Sequence, residues 1–231
     1  MVSPAKAHFL RVSAAALAVA PAVSPNASQY ELMLAKLAED RRRLKDVQSI
    51  ERKAEVKRQL LPEYAPWIEG VLAGNSGVQD DVLMTIMVWR IDIGDIAGAL
   101  PLAKYAIAHK LVLPDQYQRT TACLIAEETA DMALKGAITD IEALQQVLDL
   151  TADEDMPDEV RAKLYKAIGY ALRDGAMGND AGSQEQLTQA RDHLQRALSL
   201  HDKVGVKKDI ERLETAIKNS APAPAPSGGK G

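Results

Sequence analysis

Gly77-Val-Gln-Asp-Asp-Val-Leu-Met-Thr-Ile-Met-Val-Trp-Arg-Ile-Asp-Ile-Gly-Asp-Ile-Ala-Gly-Ala-Leu-Pro-Leu-Ala-Lys-Tyr-Ala-Ile-Ala-His109 decides the fold of this 231-residue chain. Val82, Leu83, Ile86, Met87 and Trp89 recur at three- and four-residue spacing, the period of a helix with one apolar stripe. The first helix spans about Val78 to Asp92. Gly94 supplies its stop and Asp95 a side chain able to cap the next helix, which runs to about Lys110. That second helix carries Ala99, Leu102, Ala103, Ala106 and Ile107 on one face. Large residues facing small ones suit a close helical hairpin. The 12-residue step from Met87 to Ala99 is tetratricopeptide-like. A second pair sets Tyr165, Ile168 and Gly169 before Ala190, Leu194 and Ala197, with the step from Gly169 to Ala190 stretched to 21.

The same punctuation continues toward the C-terminus. Thr120 or Thr121 opens a helix to Lys135, and Thr139-Asp-Ile-Glu142 is a capping box for a helix to Leu150. Pro157 opens a helix ending near Gly175. Ser183-Gln-Glu-Gln186 is another capping box, and a last helix covers about Val206–Asn219. Toward the N-terminus, Ser28-Gln-Tyr-Glu31 is a capping box for a long helix to about Leu60, and Pro62 starts a shorter one. No segment alternates apolar and polar residues as a strand does. The prediction is an all-α protein of about eight or nine helices in antiparallel hairpins. It has a long basic N-terminal helix and a tetratricopeptide-like C-terminal part. Residues 1–27 read as a flexible or weakly helical arm and 28–74 as an oligomerisation and DNA-binding region. Residues 75–219 read as the hairpin domain, and 220–231 as a disordered Ala-Pro tail.

Composition agrees. Apolar residues make up 47% of the chain and aromatics only 4%, so Ala and Leu build the core. The single cysteine, Cys123, rules out an intrachain disulfide and suits a reducing cytosol. No apolar run approaches the roughly 20 residues needed to cross a bilayer. Lys6 and Arg11 before the Ala-rich stretch Val12–Val23 loosely imitate a signal peptide, but Ser13 and Pro21 interrupt it.

Charge is unevenly spread. Residues 1–60 hold 11 Lys and Arg against 6 Asp and Glu, a balance of +5. The remainder hold 17 against 26, a balance of −9, and the whole chain is at −4. A basic end on an acidic body suggests one surface for a polyanion and another for protein. In the long helix, Tyr30, Leu37 and Leu44 are seven apart and, with Leu34, form a short heptad seam for a helix of this chain or of a neighbouring copy. Its other face carries Arg41, Arg42, Arg43, Lys45, Arg52, Lys53, Lys57 and Arg58, spaced to lie along a phosphate backbone.

Catalytic signals are poor. No Gly-rich phosphate loop with a lysine is present, and one cysteine with four scattered histidines offers no zinc set. No metal and no cofactor are expected. A nuclease needs carboxylates converging on Mg²⁺. Asp80 and Asp81 are the weak catalytic candidates, but neighbours on a helix diverge by about 100° and both fit a helix start. Glu127 and Glu128 read as a solvated face, and the acidic stretch 153–159 as loop and helix start.

Gly77–Arg90, Ile91–Leu100 and Ala103–Ala106 resemble the small terminase subunit of temperate myophages with cohesive-ended genomes. Flanking blocks in the same order share the resemblance: Arg11-Val-Ser-Ala-Ala15, Leu60-Leu-Pro62, Pro66-Trp67, Met156–Leu164, Gly205-Val-Lys-Lys208 and Ile210-Glu-Arg-Leu213. The resemblance implies an oligomer, a ring, that recognises viral double-stranded DNA near the cohesive-end site. It would recruit the large terminase in the host cytoplasm, away from any membrane. The family is often labelled the endonuclease subunit, and the residues read that label as the holoenzyme's, with this chain not catalytic alone. Metal-dependent endonuclease and protein-binding helical scaffold are the alternatives. Members with a basic tail find no counterpart here, where the tail offers only Lys230. DNA contact then falls to Lys6, Arg11 and the basic helix.

Overall fold

The computed structural model describes residues 3–17, 27–114, 118–178 and 184–220. Among these, ten α-helices and no strand occur: α1 (Pro4–Leu17), α2 (Ala27–Lys45), α3 (Ile50–Gly74), α4 (Asp81–Asp92), α5 (Ile96–Ala108), α6 (Thr121–Leu134), α7 (Ile141–Leu150), α8 (Asp158–Gly178), α9 (Gln184–Leu200) and α10 (Lys207–Ser220). The all-α class holds, with ten helices where eight or nine were expected. One core cluster runs without interruption from Leu10 on α1 to Leu213 on α10.

The additional helix is α1, in the segment read as an arm. It lies on α3 with Leu10, Ser13 and Ala14 buried. Gly70 makes that crossing possible. A Cβ there would meet the Arg11 carbonyl and stand 2.7 Å from the Ala14 Cβ. Residues 18–26, Ser183 of the third capping box and the Ala-Pro tail lie outside the described residues.

The predicted long helix from Ser28 to Leu60 is a second difference. It ends at Lys45, and α3 then runs unbroken through Pro62 and Pro66. The break is at Asp46–Ser49 because Ser49 caps the new helix, its hydroxyl accepting from the Arg52 amide at 3.3 Å. An interior proline costs about 3 kcal/mol. Continuing the helix buries Leu60, Leu61, Tyr64, Trp67, Ile68 and Val71 on one side. At about 1.5–3 kcal/mol per large side chain, that row outweighs both prolines.

The deciding hairpin forms, with its first helix starting at Asp81 and not at the expected Val78 because Asp80 is the cap. Asp80 caps α4, Gly94 turns the chain at φ +79°, and the Asp95 carboxylate accepts from the Gly98 amide. Leu83, Ile86 and Met87 of α4 and Ala99, Ala103 and Ala106 of α5 are all buried, and the two helices pack together. Thr120 caps α6, whereas the box at Thr139 slides by one residue, so that Asp140 caps α7. In the second pair, Ile168, Ala190, Leu194 and Ala197 are fully buried. Gly169 admits Leu194, whose Cδ2 lies 2.6 Å from where a Cβ would stand.

Candidate nucleic-acid interface

The break between α2 and α3 gathers basic side chains at one corner. Arg42, Arg43 and Lys45 occupy the last turn of α2 and are exposed. Across the four-residue link, Arg52 is exposed and Lys53 half-buried in the first turns of α3. None of the five has an ion pair among the described residues. Ile50 stands at the tip, 84% exposed.

The helix dipole separates an ordinary explanation from a functional one. Cations at the end of α2 gain about 0.3–1 kcal/mol from its C-terminal carbonyls, so the fold alone accounts for them. Arg52 and Lys53 face the opposite situation. They sit at the positive end of α3, with only Glu51 in that turn to favour them. The fold gives no return for placing cations there, whereas a phosphate would meet both side chains and the helix start.

The other predicted DNA contacts are placed elsewhere. Arg41 turns inward, donating from Nη2 to the buried Thr85 hydroxyl at 2.8 Å, and that hydroxyl donates to the Asp81 carbonyl at 2.7 Å. Lys57 is paired with Asp92 and Arg58 with Glu55 at 3.6 Å. Arg11 pairs with Glu69 at 3.1 Å, and Lys6 is exposed on the same helix. Glu69 is 17 residues along α3 from Arg52, which at 1.5 Å per residue is about 25 Å. The structure therefore unites Arg42, Arg43, Lys45, Arg52 and Lys53, and separates Lys6 and Arg11 from them.

Of the two partners open to the heptad seam, the structure uses this chain. Tyr30 stacks on Trp67 with ring centroids 6.0 Å apart, and its hydroxyl accepts from the Asp81 amide at 3.0 Å. Burial pushes the Tyr30 pKa up to about 12. Leu37 and Leu44 are buried in the core, and Leu34 packs against it. The apolar side chains left outward near this region are Leu32 on α2 and Phe9 and Val12 on α1.

The acidic candidates hold structure together. Asp80 is 5% exposed; its Oδ1 accepts from the Leu83 amide at 2.8 Å and its Oδ2 from the Trp67 indole at 2.9 Å. Burial pushes its pKa up, against those hydrogen bonds. Asp81 accepts from the Gln79 amide group instead. Glu127 and Glu128 are half-buried, not the solvated face expected. Glu127 pairs with Arg119, and burial followed by the charges of Asp92, Asp131 and Glu127 raises the Glu128 pKa. Among the described residues, no group of three or more His, Cys, Asp or Glu is placed to hold a metal ion. Cys123 is buried in α6, its thiol pushed up by burial. No helix among them is long and apolar enough to cross a membrane.

A family model described as "Phage small terminase subunit" matches residues 34–159, from α2 to the start of α8. The chain is 49% identical over 231 residues to "Terminase, endonuclease subunit" of Escherichia phage P2, covering 98% of this chain and 89% of that one. It is 26% identical over 200 residues to "Probable terminase, endonuclease subunit" of Haemophilus phage HP1 (strain HP1c1), covering 83% and 71%. No solved structure matches the chain.

Proposed function

Because this chain belongs to the phage small terminase subunit family, we propose that it is a DNA-packaging adaptor. It grips viral double-stranded DNA near the cohesive-end site through the α2–α3 corner and brings that DNA to the large terminase subunit. It works in the host cytoplasm as a homo-oligomer, a ring that sets several corners on one duplex. The carrying observation is the set of cations on both sides of Asp46–Ser49 that have no ion pair among the described residues, two of them against the dipole of α3.

Contacts of this kind hold the backbone and set orientation, while sequence is read by other groups or by DNA shape. The test is binding of a cohesive-end duplex by fluorescence anisotropy at several salt concentrations. Replacing Arg42, Arg43 and Arg52 by Gln should lower the salt slope by about 0.9 for each phosphate no longer neutralised. Arg41→Gln belongs in a separate arm, because any weakening of binding would come through Thr85 and the fold. Wild-type slope in the triple variant would remove this corner as the DNA surface.

The relatives' names carry the word endonuclease. We assign cleavage to the holoenzyme, since Asp80 is already engaged by Leu83 and Trp67. Nicking of the duplex by the purified chain with Mg²⁺ would reverse that assignment.

A further inference from the structure

Residues 61–231 carry a balance of −9, yet one corner of this acidic body sets three lysines within six residues, beside an exposed Asp202 and an Asp209 already held by Tyr170 and Arg173. The turn between α9 and α10 exposes Lys203, and the first turn of α10 exposes Lys207 and Lys208, none of the three in an ion pair among the described residues. Beside the turn opens a cleft of about 310 Å³, whose walls include Lys163, Lys166, His201 and Lys203. Two carboxylates also line it. Glu127 is already held by Arg119, and Glu159 stands at the rim, its side chain 75% exposed and 3.9 Å from the His201 Nδ1. Lys163 is satisfied by Asp131.

Lys166 differs from Lys163. It is half-buried on α8 and reaches across to donate to the Val204 carbonyl at 2.8 Å, with its ammonium 5.5 Å from the Tyr170 ring centroid. No carboxylate pairs with it among the described residues. A partly desolvated ammonium with a carbonyl but no counter-anion is electrostatically incomplete. A phosphate oxygen completes it with a charge-assisted hydrogen bond.

We propose that the α9–α10 corner is a second site for the DNA backbone. Lys203, Lys207 and Lys208 meet successive phosphates on the outside, and Lys166 takes one phosphate at the cleft. Flexible lysines suit this task, since they act as point charges without the fork geometry that reads a base edge. The site therefore adds grip and orientation without sequence preference. It rests on the DNA-adaptor reading but uses a different surface, beyond the span matched by the family model.

The experiment compares three full-length proteins on one cohesive-end duplex: wild type, Lys203→Gln/Lys207→Gln/Lys208→Gln, and Arg42→Gln/Arg43→Gln/Arg52→Gln. Each triple variant should lower the slope of log affinity against log salt by about 0.9 for every phosphate left without its cation, and the two decreases should add. The lysines are exposed, so their thermal unfolding midpoint should stay at wild type. Lys166→Gln should lower affinity further; if it does not fold, the triple lysine variant still decides. A wild-type slope in the lysine variant, beside a lowered slope in the arginine variant, overturns this inference and leaves the first reading standing. A lowered slope in the lysine variant alone supports this site and removes the α2–α3 corner. Wild-type slopes in both overturn both.

Discussion

At the scale of single residues, Asp80 joins two elements with one carboxylate. One oxygen caps α4 and the other accepts from the Trp67 indole on α3. Removing it deletes a cap, about 1 kcal/mol, and strands a buried N–H, about 1–3 kcal/mol. Burial of the charge offsets part of that. Asp80→Ala is expected to destabilise by about 2–3 kcal/mol by urea unfolding, and Asp80→Asn by less, since its one carbonyl oxygen can still accept from the Leu83 amide while its NH2 has nothing to accept from the Trp67 indole. Equal midpoints for Asp80→Ala and wild type would sink the idea. The helix-start role was legible from position alone, just ahead of an apolar run. The Trp67 clasp was not, because its donor lies 13 residues back across a turn. His193 gives the pH prediction. Burial lowers its pKa, its Nδ1 is buried with no hydrogen-bond partner among the described residues, and Tyr165 of α8 packs against it. The folded chain thus prefers the neutral ring. Its contribution is complete above the unfolded value of about 6.5 and is lost as pH falls from there through the lowered folded value. Wild type should lose unfolding midpoint between about pH 7 and pH 5 more steeply than His193→Gln. Parallel curves would show that His193 does not carry the effect.

At the scale of elements, the misreadings share one cause. Local signals placed boundaries wherever a strong punctuator stood, and tertiary burial overrode the punctuator. Pro62 looked like a first residue, but the apolar row from Leu60 to Val71 needs a continuous α3 to reach the core. Residues 1–27 read as a flexible or weakly helical arm because Pro4, Pro21 and Pro25 bracket them. Small residues are what a helix needs to lie against Gly70. This gives an element-scale prediction. Gly70→Ala gains up to about 1 kcal/mol of helix propensity for α3. It also places a methyl group against the Arg11 backbone and the Ala14 side chain. The expected result is an intact bundle with α1 displaced: unchanged tryptophan fluorescence, but faster amide exchange confined to residues 4–17. Unchanged exchange there would mean that the crossing tolerates the methyl.

At the scale of the whole molecule, charge was the most legible property and the heptad seam the least. Net charge by segment can be read from composition, so the basic end announced itself. Which helix covers a seam cannot be read the same way, and Tyr30, Leu37 and Leu44 turned out to serve α3 and α4 of their own chain. The proposed ring is then expected to use other surfaces, among which the outward Phe9, Val12 and Leu32 are open. Salt dependence can report the ring from the DNA side. The five cations at the α2–α3 corner that have no ion pair among the described residues release at most about five counterions, so one corner on one duplex limits the slope to about −4.5. The α9–α10 lysines add about one unit for each phosphate they touch. The Lys203→Gln/Lys207→Gln/Lys208→Gln protein keeps Lys166, so one copy reaches about −5.4 at most, and a steeper slope requires more than one copy on the same duplex. Native mass spectrometry of that complex should show several chains per DNA. A slope within the single-copy limit, together with one chain per duplex, would leave the corner as a DNA grip and remove the ring from the packaging reading.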